Sequence, residues 1–462
     1  MADRLRIYHH LPYPLRVVAA SLWGYHLRSW RYGPETERLV EAALERETWS
    51  EEKWNIWREE RLAFILNRAA TQVPYYRAYW QARRRKGDRS SWDLLSNWPI
   101  LSREELRLQP SAFVAEDCDS RKMYADHTSG TTGTPLTIWL TRSTIHQWYA
   151  IFEARIRRWY GVSYKVPWGI FGGQVVVPFA QKKPPFWVRN LSLNQTYFSV
   201  LHIAPWTFQA YLDEIKNAKL THLIIYTNSL YSIACEVPLE AQPVKSNLKV
   251  IFTNAEPLFD FQRKKLEEVF GCPVKETYGL AEMVCAASEC ERGNLHWWPE
   301  AGVHEIVDEN GFQVNPGETG RLISTGLLNL DMPLIRYDTK DLAVRPERAA
   351  QCPCGRSLPL AGKFVGRHDD VIVTADGREL TQLDSIFDPH LPLKEAQIVQ
   401  NALDDFVIRV VVEPGWTQAD ADYLIAELEK RVGKVRISVK QENHIERTWA
   451  GKFRIIVSNV TH

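Results

Sequence analysis

The chain has 462 residues, 45% hydrophobic and 24% charged, an ordinary globular balance that excludes a disordered or fibrous protein. Lys and Arg total 57 against 56 acidic residues, a net charge of +1, so no global positive field argues for nucleic acid. The uncharged stretch Val166 to Gln181 is broken by Pro and Gly and is too short for a bilayer span, and the N-terminus lacks the apolar core of a secretory signal. The expectation is a soluble, cytoplasmic protein of roughly three domain-sized units.

Residues 1–125 read as mostly helical and irregular. Leu15 to Leu27 is amphipathic, with Arg16 and Arg28 at its ends; a core-packing helix is the expectation, contact with a membrane surface the alternative. Ser50 to Ala82 carries Trp54, Trp57, Leu62, Ile65 and Leu66 at helical spacing. Leu136, Ile138 and Leu140 alternate with Thr137, Trp139 and Thr141, the period of a half-buried strand. A helix is expected from an N-cap at Ser143 to a stop at Gly161.

Residues 200–278 alternate in kind. The expected order is helix Trp206 to Ala218, strand Leu220 to Tyr226, helix near Leu230, strand Leu248 to Phe252, helix Pro257 to Gly271 and a strand leading to Tyr278. Such alternation implies a parallel sheet with helices on its faces, and ligands on such sheets bind at the carboxyl ends of the strands. Two of those ends are Asn254-Ala255-Glu256-Pro257 and Thr277-Tyr278-Gly279-Leu280-Ala281-Glu282. Beyond the charged run Gly366-Arg367-His368-Asp369-Asp370, the tail reads as a separate small α+β unit: strand Phe406 to Val412, helix Asp420 to Val432, strand Val435 to Val439.

The strongest local signal is His127-Thr128-Ser129-Gly130-Thr131-Thr132-Gly133-Thr134-Pro135. Two glycines free the backbone to expose N–H groups and the hydroxyls add donors, which together make an anion cradle. A polar hairpin turn is the other reading, and the spacing excludes a Walker loop. Seven cysteines, an odd number in a large chain, disfavour a disulfide framework. Cys352-Pro353-Cys354 is a tight pair of thiols. With Cys290 and His296 it offers four ligands suited to tetrahedral Zn²⁺, with Cys285 as a substitute; buried free thiols are the alternative.

Four more motifs follow the Gly/Thr loop in order: Tyr278-Gly279-Leu280-Ala281-Glu282, Arg336-Tyr337-Asp338-Thr339-Lys340-Asp341, Gly366-Arg367-His368-Asp369-Asp370 and Gly451-Lys452-Phe453-Arg454. With Val73-Pro74-Tyr75-Tyr76-Arg77 near the start, the chain resembles the adenylate-forming superfamily of acyl-CoA synthetases. Within it the chain is similar to the phenylacetate–CoA ligase family, especially its capsular-polysaccharide-biosynthesis branch.

The resemblance implies an α/β fold. Residues 1–365 would form a large adenylate-forming domain, with mixed and parallel sheets flanked by helices and 1–125 as a mainly helical lead-in. Residues 366–462 would form a small mobile α+β domain hinged at Asp369. Thr128, Ser129, Gly130, Thr131, Thr132 and Gly133 would hold the ATP phosphates. Ala255, Glu256, Tyr278 and Gly279 would frame the adenine, Asp341 would take the ribose with Arg367 nearby, and Glu282 would ligate Mg²⁺. Lys452, from the small domain, would reach the carboxylate and the α-phosphate, with Thr128 and Glu282 sharing the catalytic work. Thr134, Ala281 and Lys340 stand where relatives often carry Lys, a hydroxyl residue and Gly, departures that bear on efficiency more than on reaction type.

The implied function is ATP-dependent activation of an aromatic or other small carboxylic acid to an acyl-adenylate, then transfer to CoA. The aromatic-rich region 146–206 would wall an apolar pocket or simply fill the core. An amine, a sugar or a carrier-protein thiol as acceptor is the alternative, and a non-catalytic nucleotide-binding scaffold the third reading. Oligomeric state, monomer or homodimer, is left open.

Overall fold

The structure is a computed structural model, described here for residues 7–127, 136–237, 244, 246–347, 352–367, 372–374, 379–380, 383–388, 391–448 and 453–460. The N-terminal third is helical, as expected: α1 (Tyr13–Arg31), α2 (Thr36–Arg46), α3 (Glu51–Gln72), α4 (Pro74–Arg85) and the short α5 (Arg103–Leu108). Ser50 caps α3 by accepting from the Lys53 N–H at 3.2 Å. The helical stretch from Ser50 onward is two helices rather than one, because Pro74 cannot continue α3 and instead starts α4.

Helix α1 corrects an expectation. It is not a core-packing helix, since only Arg16, Gly24 and Leu27 are buried along it. Gly24 lets it lie close on the body: a Cβ there would meet Oδ1 of Asn190 at 2.0 Å.

Strands β1 (Tyr124–His127) and β2 (Thr137–Leu140) form an antiparallel pair on either side of the Gly/Thr loop, with His127 opposite Thr137. Helix α6 (Arg142–Phe152) starts two residues earlier than expected, because Thr141 rather than Ser143 caps it, accepting from the Thr144 N–H. It then widens into a π-turn, Glu153–Arg157, and ends at Gly161 in the left-handed region. That turn carries the fully buried Arg155, whose guanidinium meets the Glu300 carboxylate at 2.6 and 2.7 Å, while Arg46 meets the same carboxylate at 2.7 Å. Burial alone would raise the Glu300 carboxyl; Arg155 and then Arg46 hold it below its usual range. Removing one partner of such a pair costs roughly 3–5 kcal/mol.

The central sheet has the order β4-β5-β3-β6-β7-β8, from β3 (Trp168–Gly172), β4 (Trp187–Asn190), β5 (Gln195–Ser199), β6 (His222–Ile225), β7 (Val250–Thr253) and β8 (Val274–Lys275). All neighbouring pairs are parallel except β4 with β5. Helices α7 (Phe208–Asn217), α8 (Thr227–Cys235) and α9 (Asp260–Phe270) supply the crossovers, and Gly271 ends α9 with φ 63°. Much of the aromatic-rich region is core: Phe171, Phe186, Trp187 and Phe198 pack with Tyr211 and Leu223. Two smaller sheets follow, β11-β10-β9 (Leu295–Trp297, Ala286–Glu289, Thr277–Gly279) and β12-β13-β14-β15 (Gly302–Val307, Thr319–Gly326, Tyr337–Val344, Phe364–Arg367).

In the tail, β16 (Ile372–Val373) pairs with β17 (Glu379–Leu380). A four-stranded sheet of order β20-β19-β18-β21 follows, from β18 (Leu393–Ala402), β19 (Asp405–Val412), β20 (Arg436–Gln441) and β21 (Ile456–Ser458). Helix α10 (Gln418–Val432) supplies Leu424, Leu428 and Val432 to a core with Ile398, Phe406 and Ile408. Among the described residues, no helix is long and apolar enough to cross a membrane.

Candidate functional site

The two strand ends singled out from the sequence lie side by side, because β7 leads into Asn254–Pro257 and β8 into β9 at Thr277. The Thr277 hydroxyl donates to the Thr253 carbonyl and ties them together. Ala255, Met283, Arg336 and Lys340 all hold positive φ, between 49° and 65°, and each lies in or beside one of the motifs. Strained backbone of this kind collects at functional sites.

Glu256 is 7% exposed and accepts three N–H donors: the Asn228 backbone at 2.9 Å, the Asn228 side chain at 3.1 Å and the Phe453 backbone at 2.8 Å. The first belongs to the opening turn of α8, where a carboxylate is favoured by the helix dipole. The last comes from the tail, so this carboxylate joins the strand-end motif to the residue that follows Lys452. Burial raises the Glu256 carboxyl above its usual range, against the lowering effect of these hydrogen bonds and of Arg447.

The same face of α8 holds the tail at further points. Ser232 donates to Glu395 at 3.1 Å and accepts from Arg447 at 3.4 Å, and Lys394 pairs with Glu236. The Arg447 guanidinium sits 4.5 Å from the Phe453 ring centroid. A cavity of about 580 Å³ opens beside these contacts, lined by Tyr231, Phe259, Phe261 and Lys265 from one side and Phe387 and Phe453 from the other.

Tyr278 donates to Asp341 Oδ2 at 2.6 Å and stacks on Phe364 at 3.7 Å. Burial, with the Asp341 carboxylate beside it, pushes the phenol well above its usual range, so it remains a donor. Asp341 and Arg367 are direct partners across the β14–β15 ladder, which places the third and fourth motifs against each other. Gly279 pairs with Ala286 in the adjoining ladder.

Glu282 is 4% exposed, and its Oε1 accepts from the Tyr337 hydroxyl at 2.9 Å and from Arg103 at 3.2 Å. Burial raises the Asp126 carboxyl, and the Glu282 charge adds to that rise. Asp126 directly precedes His127 at the mouth of the Gly/Thr loop, so two carboxylates serve one region. Arg103, Tyr337 and Phe364 take part without having been picked out from the sequence; only Tyr337, inside the third motif, carried any signal there. Thr128, Ser129, Gly130, Thr131, Thr132, Gly133, Asp369 and Lys452 lie outside the described residues.

The four predicted zinc ligands come together. The ligand atoms of Cys290, His296, Cys352 and Cys354 all lie within 4.8 Å of one another. Cys290 and Cys352 Sγ are 3.7 Å apart, and Cys354 Sγ is 3.5 Å from His296 Nε2. His296 Nδ1 is 3.0 Å from the Leu358 carbonyl, which only accepts, so Nδ1 carries the proton and Nε2 presents its lone pair to the thiols. Asn294 donates to Cys352 Sγ at 3.3 Å. Cys285 is not in this cluster; it lies 4.0 Å from the Tyr278 hydroxyl, and burial pushes its thiol up to about 12.

Residues 56–329 match the AMP-binding enzyme family and residues 372–459 match the CapK C-terminal domain. Protein CapK of Staphylococcus aureus is 24% identical over 380 residues, covering 79% of this chain and 80% of that protein. The phenylacetate-coenzyme A ligase of Aromatoleum evansii is 26% identical over 428 residues, covering 86% of this chain and 92% of the ligase. A crystal structure of 2-hydroxyisobutyryl-CoA ligase in the postadenylation state has the same fold, with a TM-score of 0.67 at 20% identity over 90% of this chain and 91% of that one. The chain belongs to the AMP-binding enzyme family, among its phenylacetate–CoA ligase-like and CapK-like adenylate-forming members.

Proposed function

We propose that the protein activates a small carboxylic acid with ATP, releasing pyrophosphate, and passes the acyl group from the adenylate to CoA. The observation that supports this reading is the hydrogen bond from the Phe453 backbone, next in sequence after Lys452, to Glu256 of the strand-end motif. In the first step a substrate carboxylate oxygen attacks the α-phosphorus and the bond to the pyrophosphate oxygen breaks. Negative charge gathers on the phosphate oxygens and the leaving group. In this reading the N–H groups and hydroxyls of Thr128–Gly133 and the Lys452 ammonium would stabilise that charge. Preorganised donors of this kind commonly contribute about 10²- to 10³-fold each.

Glu282 would hold Mg²⁺, a hard cation that takes carboxylate oxygen and neutralises phosphate charge when bound. Arg103, held on Glu282 at 3.2 Å, adds a fixed positive group to the same region. Asp341, oriented by Tyr278, receives the ribose hydroxyls, with Arg367 across the ladder; Ala255, Glu256 and Gly279 bound the base. Glu256 also serves as the latch of the adenylation arrangement, and releasing it at the Asp369 hinge would withdraw Lys452 for transfer. Residues 1–365 and 366–462 are the two bodies that rotate. The dependence on ATP, an intracellular reactant, supports a cytoplasmic site of action.

The Cys/His quartet is a structural zinc site in this reading. Bonds of about 2.3 Å to sulfur and 2.0–2.1 Å to nitrogen in a tetrahedron give edges of about 3.8 and 3.6 Å, close to the 3.7 and 3.5 Å separations in the cluster. The metal would join the segment after Glu282 to the segment before the hinge.

Acceptors other than CoA, such as an amine, a sugar or a carrier-protein thiol, are the second reading, supported by the match of the tail to the CapK C-terminal domain, the body that turns for transfer. Acid-dependent exchange of labelled pyrophosphate into ATP across a panel of aromatic and short aliphatic acids tests the proposal, followed by product analysis with CoA or amines. Exchange with at least one acid and thioester formation with CoA are expected; no exchange with any acid would overturn adenylation, and amide without thioester would overturn CoA as acceptor.

A further inference from the structure

Helix α1 turns its apolar stripe away from the protein. It is seated by Gly24 on Asn190, by Arg16 on Gln181 at 3.0 Å and by Ser21, which accepts from the Leu191 N–H at 3.0 Å. On the opposite face, Leu15, Val18, Leu22 and Tyr25 recur at helical spacing and are 50%, 53%, 69% and 70% exposed. Phe179 and Leu191, 71% and 68% exposed, add exposed apolar side chains on the two segments on which α1 rests. Single exposed apolar side chains need no explanation, but a contiguous patch marks an interaction surface.

Charge identifies what covers it. Neither 7–34 nor 154–212, the segments that build α1 and the strands and loops beneath it, contains a single Asp or Glu. The exposed ions there are cations: Arg28 on α1, and Lys182 and Lys183, the two residues that follow the Gln181 that holds Arg16. An apolar stripe on segments that carry cations and no carboxylate of their own, with the neighbouring Glu214 buried on Arg189 at 2.8 Å, is complementary to an anionic lipid surface, where apolar side chains enter the acyl boundary and cations meet headgroups. A second copy fits less well, because a two-fold contact would set this cationic patch against itself. We propose that α1, with Phe179, Leu191 and the Lys182–Lys183 pair, docks the protein on an anionic phospholipid bilayer, lying in the interface without crossing it.

Flotation of the full-length protein with vesicles tests this independently of catalysis. The protein is expected to float with vesicles enriched in phosphatidylglycerol, not with pure phosphatidylcholine, and to be released as salt rises. The double substitution Leu22→Ser/Tyr25→Ser, and separately Lys182→Glu/Lys183→Glu, should each lower the bound fraction at least about tenfold without moving the melting temperature, since all four side chains are exposed. No flotation of the wild-type protein, or flotation unchanged in both variants, would overturn the proposal. So would a wild-type dimer in light scattering that the same substitutions dissolve in the absence of vesicle binding, which would assign the stripe to a second copy.

Discussion

The backbone N–H of Phe453 donates to the Glu256 carboxylate at 2.8 Å, across 197 residues of sequence. This carboxylate belongs to the motif expected to frame the adenine, and the donor follows the lysine expected to act on the carboxylate. One buried group therefore links the proposed nucleotide site and the tail. Glu256→Gln puts an amide N–H₂ where three N–H donors already converge and removes the charge that they stabilise. A hydrogen bond to a charged group contributes about 1.5–3 kcal/mol, so pyrophosphate exchange should fall roughly 10- to 100-fold. Thioester formation from a synthetic acyl-adenylate should change far less, which rapid-quench assays of the two half-reactions will resolve.

Asp341 is oriented by a 2.6 Å hydrogen bond from Tyr278, whose ring is fixed by Phe364. Asp341→Asn should raise the KM for ATP by about 10- to 100-fold through loss of a charged acceptor for the ribose. Tyr278→Phe, which keeps the stack and removes the orienting donor, should raise it by a smaller factor. Initial-rate kinetics at saturating acid measures both.

Zinc should copurify at one equivalent per chain. Cys352→Ser should abolish it and lower the melting temperature by several degrees, because the metal would join segments 62 residues apart in sequence, Cys290 and Cys352. Elemental analysis with thermal melting decides the point. Full stability with reactive thiols and no metal would refute the zinc reading.

Glu276 gives a pH signature. Burial, with Glu289 beside it, pushes its carboxyl up to about 7. The native state therefore keeps a proton that the unfolded chain releases near the ordinary carboxylate value. Stability attributable to this group falls as pH rises from about 4.5 towards 7 and is level above that. Glu276→Gln should remove the slope, so the variant's gain in melting temperature is larger at about pH 8 than at about pH 5.

What was legible in the sequence follows from how local each signal is. The strands β6 and β7 and the helix α9 announce themselves through short apolar runs and the stop at Gly271, and the structure differs there only by a residue or a few at the ends. The strands β3–β5 do not, because Trp168–Ser199 mixes aromatics with Pro and Gly and reads as pocket wall as readily as core. β18 is hidden for a related reason: its mixed polar and apolar residues follow no clear alternation. At the site, the motifs identify Asp341 and Tyr278, but no local pattern predicts that Phe364 covers the Tyr278 ring or that Phe453 reaches Glu256. Spacing alone found an amphipathic helix near Leu15–Leu27, but it could not say which face would be buried; a glycine against Asn190 decided that.

The most direct test of the account is Lys452→Ala, assayed separately in the two half-reactions with an acid that supports exchange. Pyrophosphate exchange should fall by at least about 10²-fold, while conversion of a preformed acyl-adenylate and CoA to thioester stays within a fewfold of wild type. Unchanged exchange in this variant would contradict the claim that the tail delivers the catalytic ammonium to the nucleotide site.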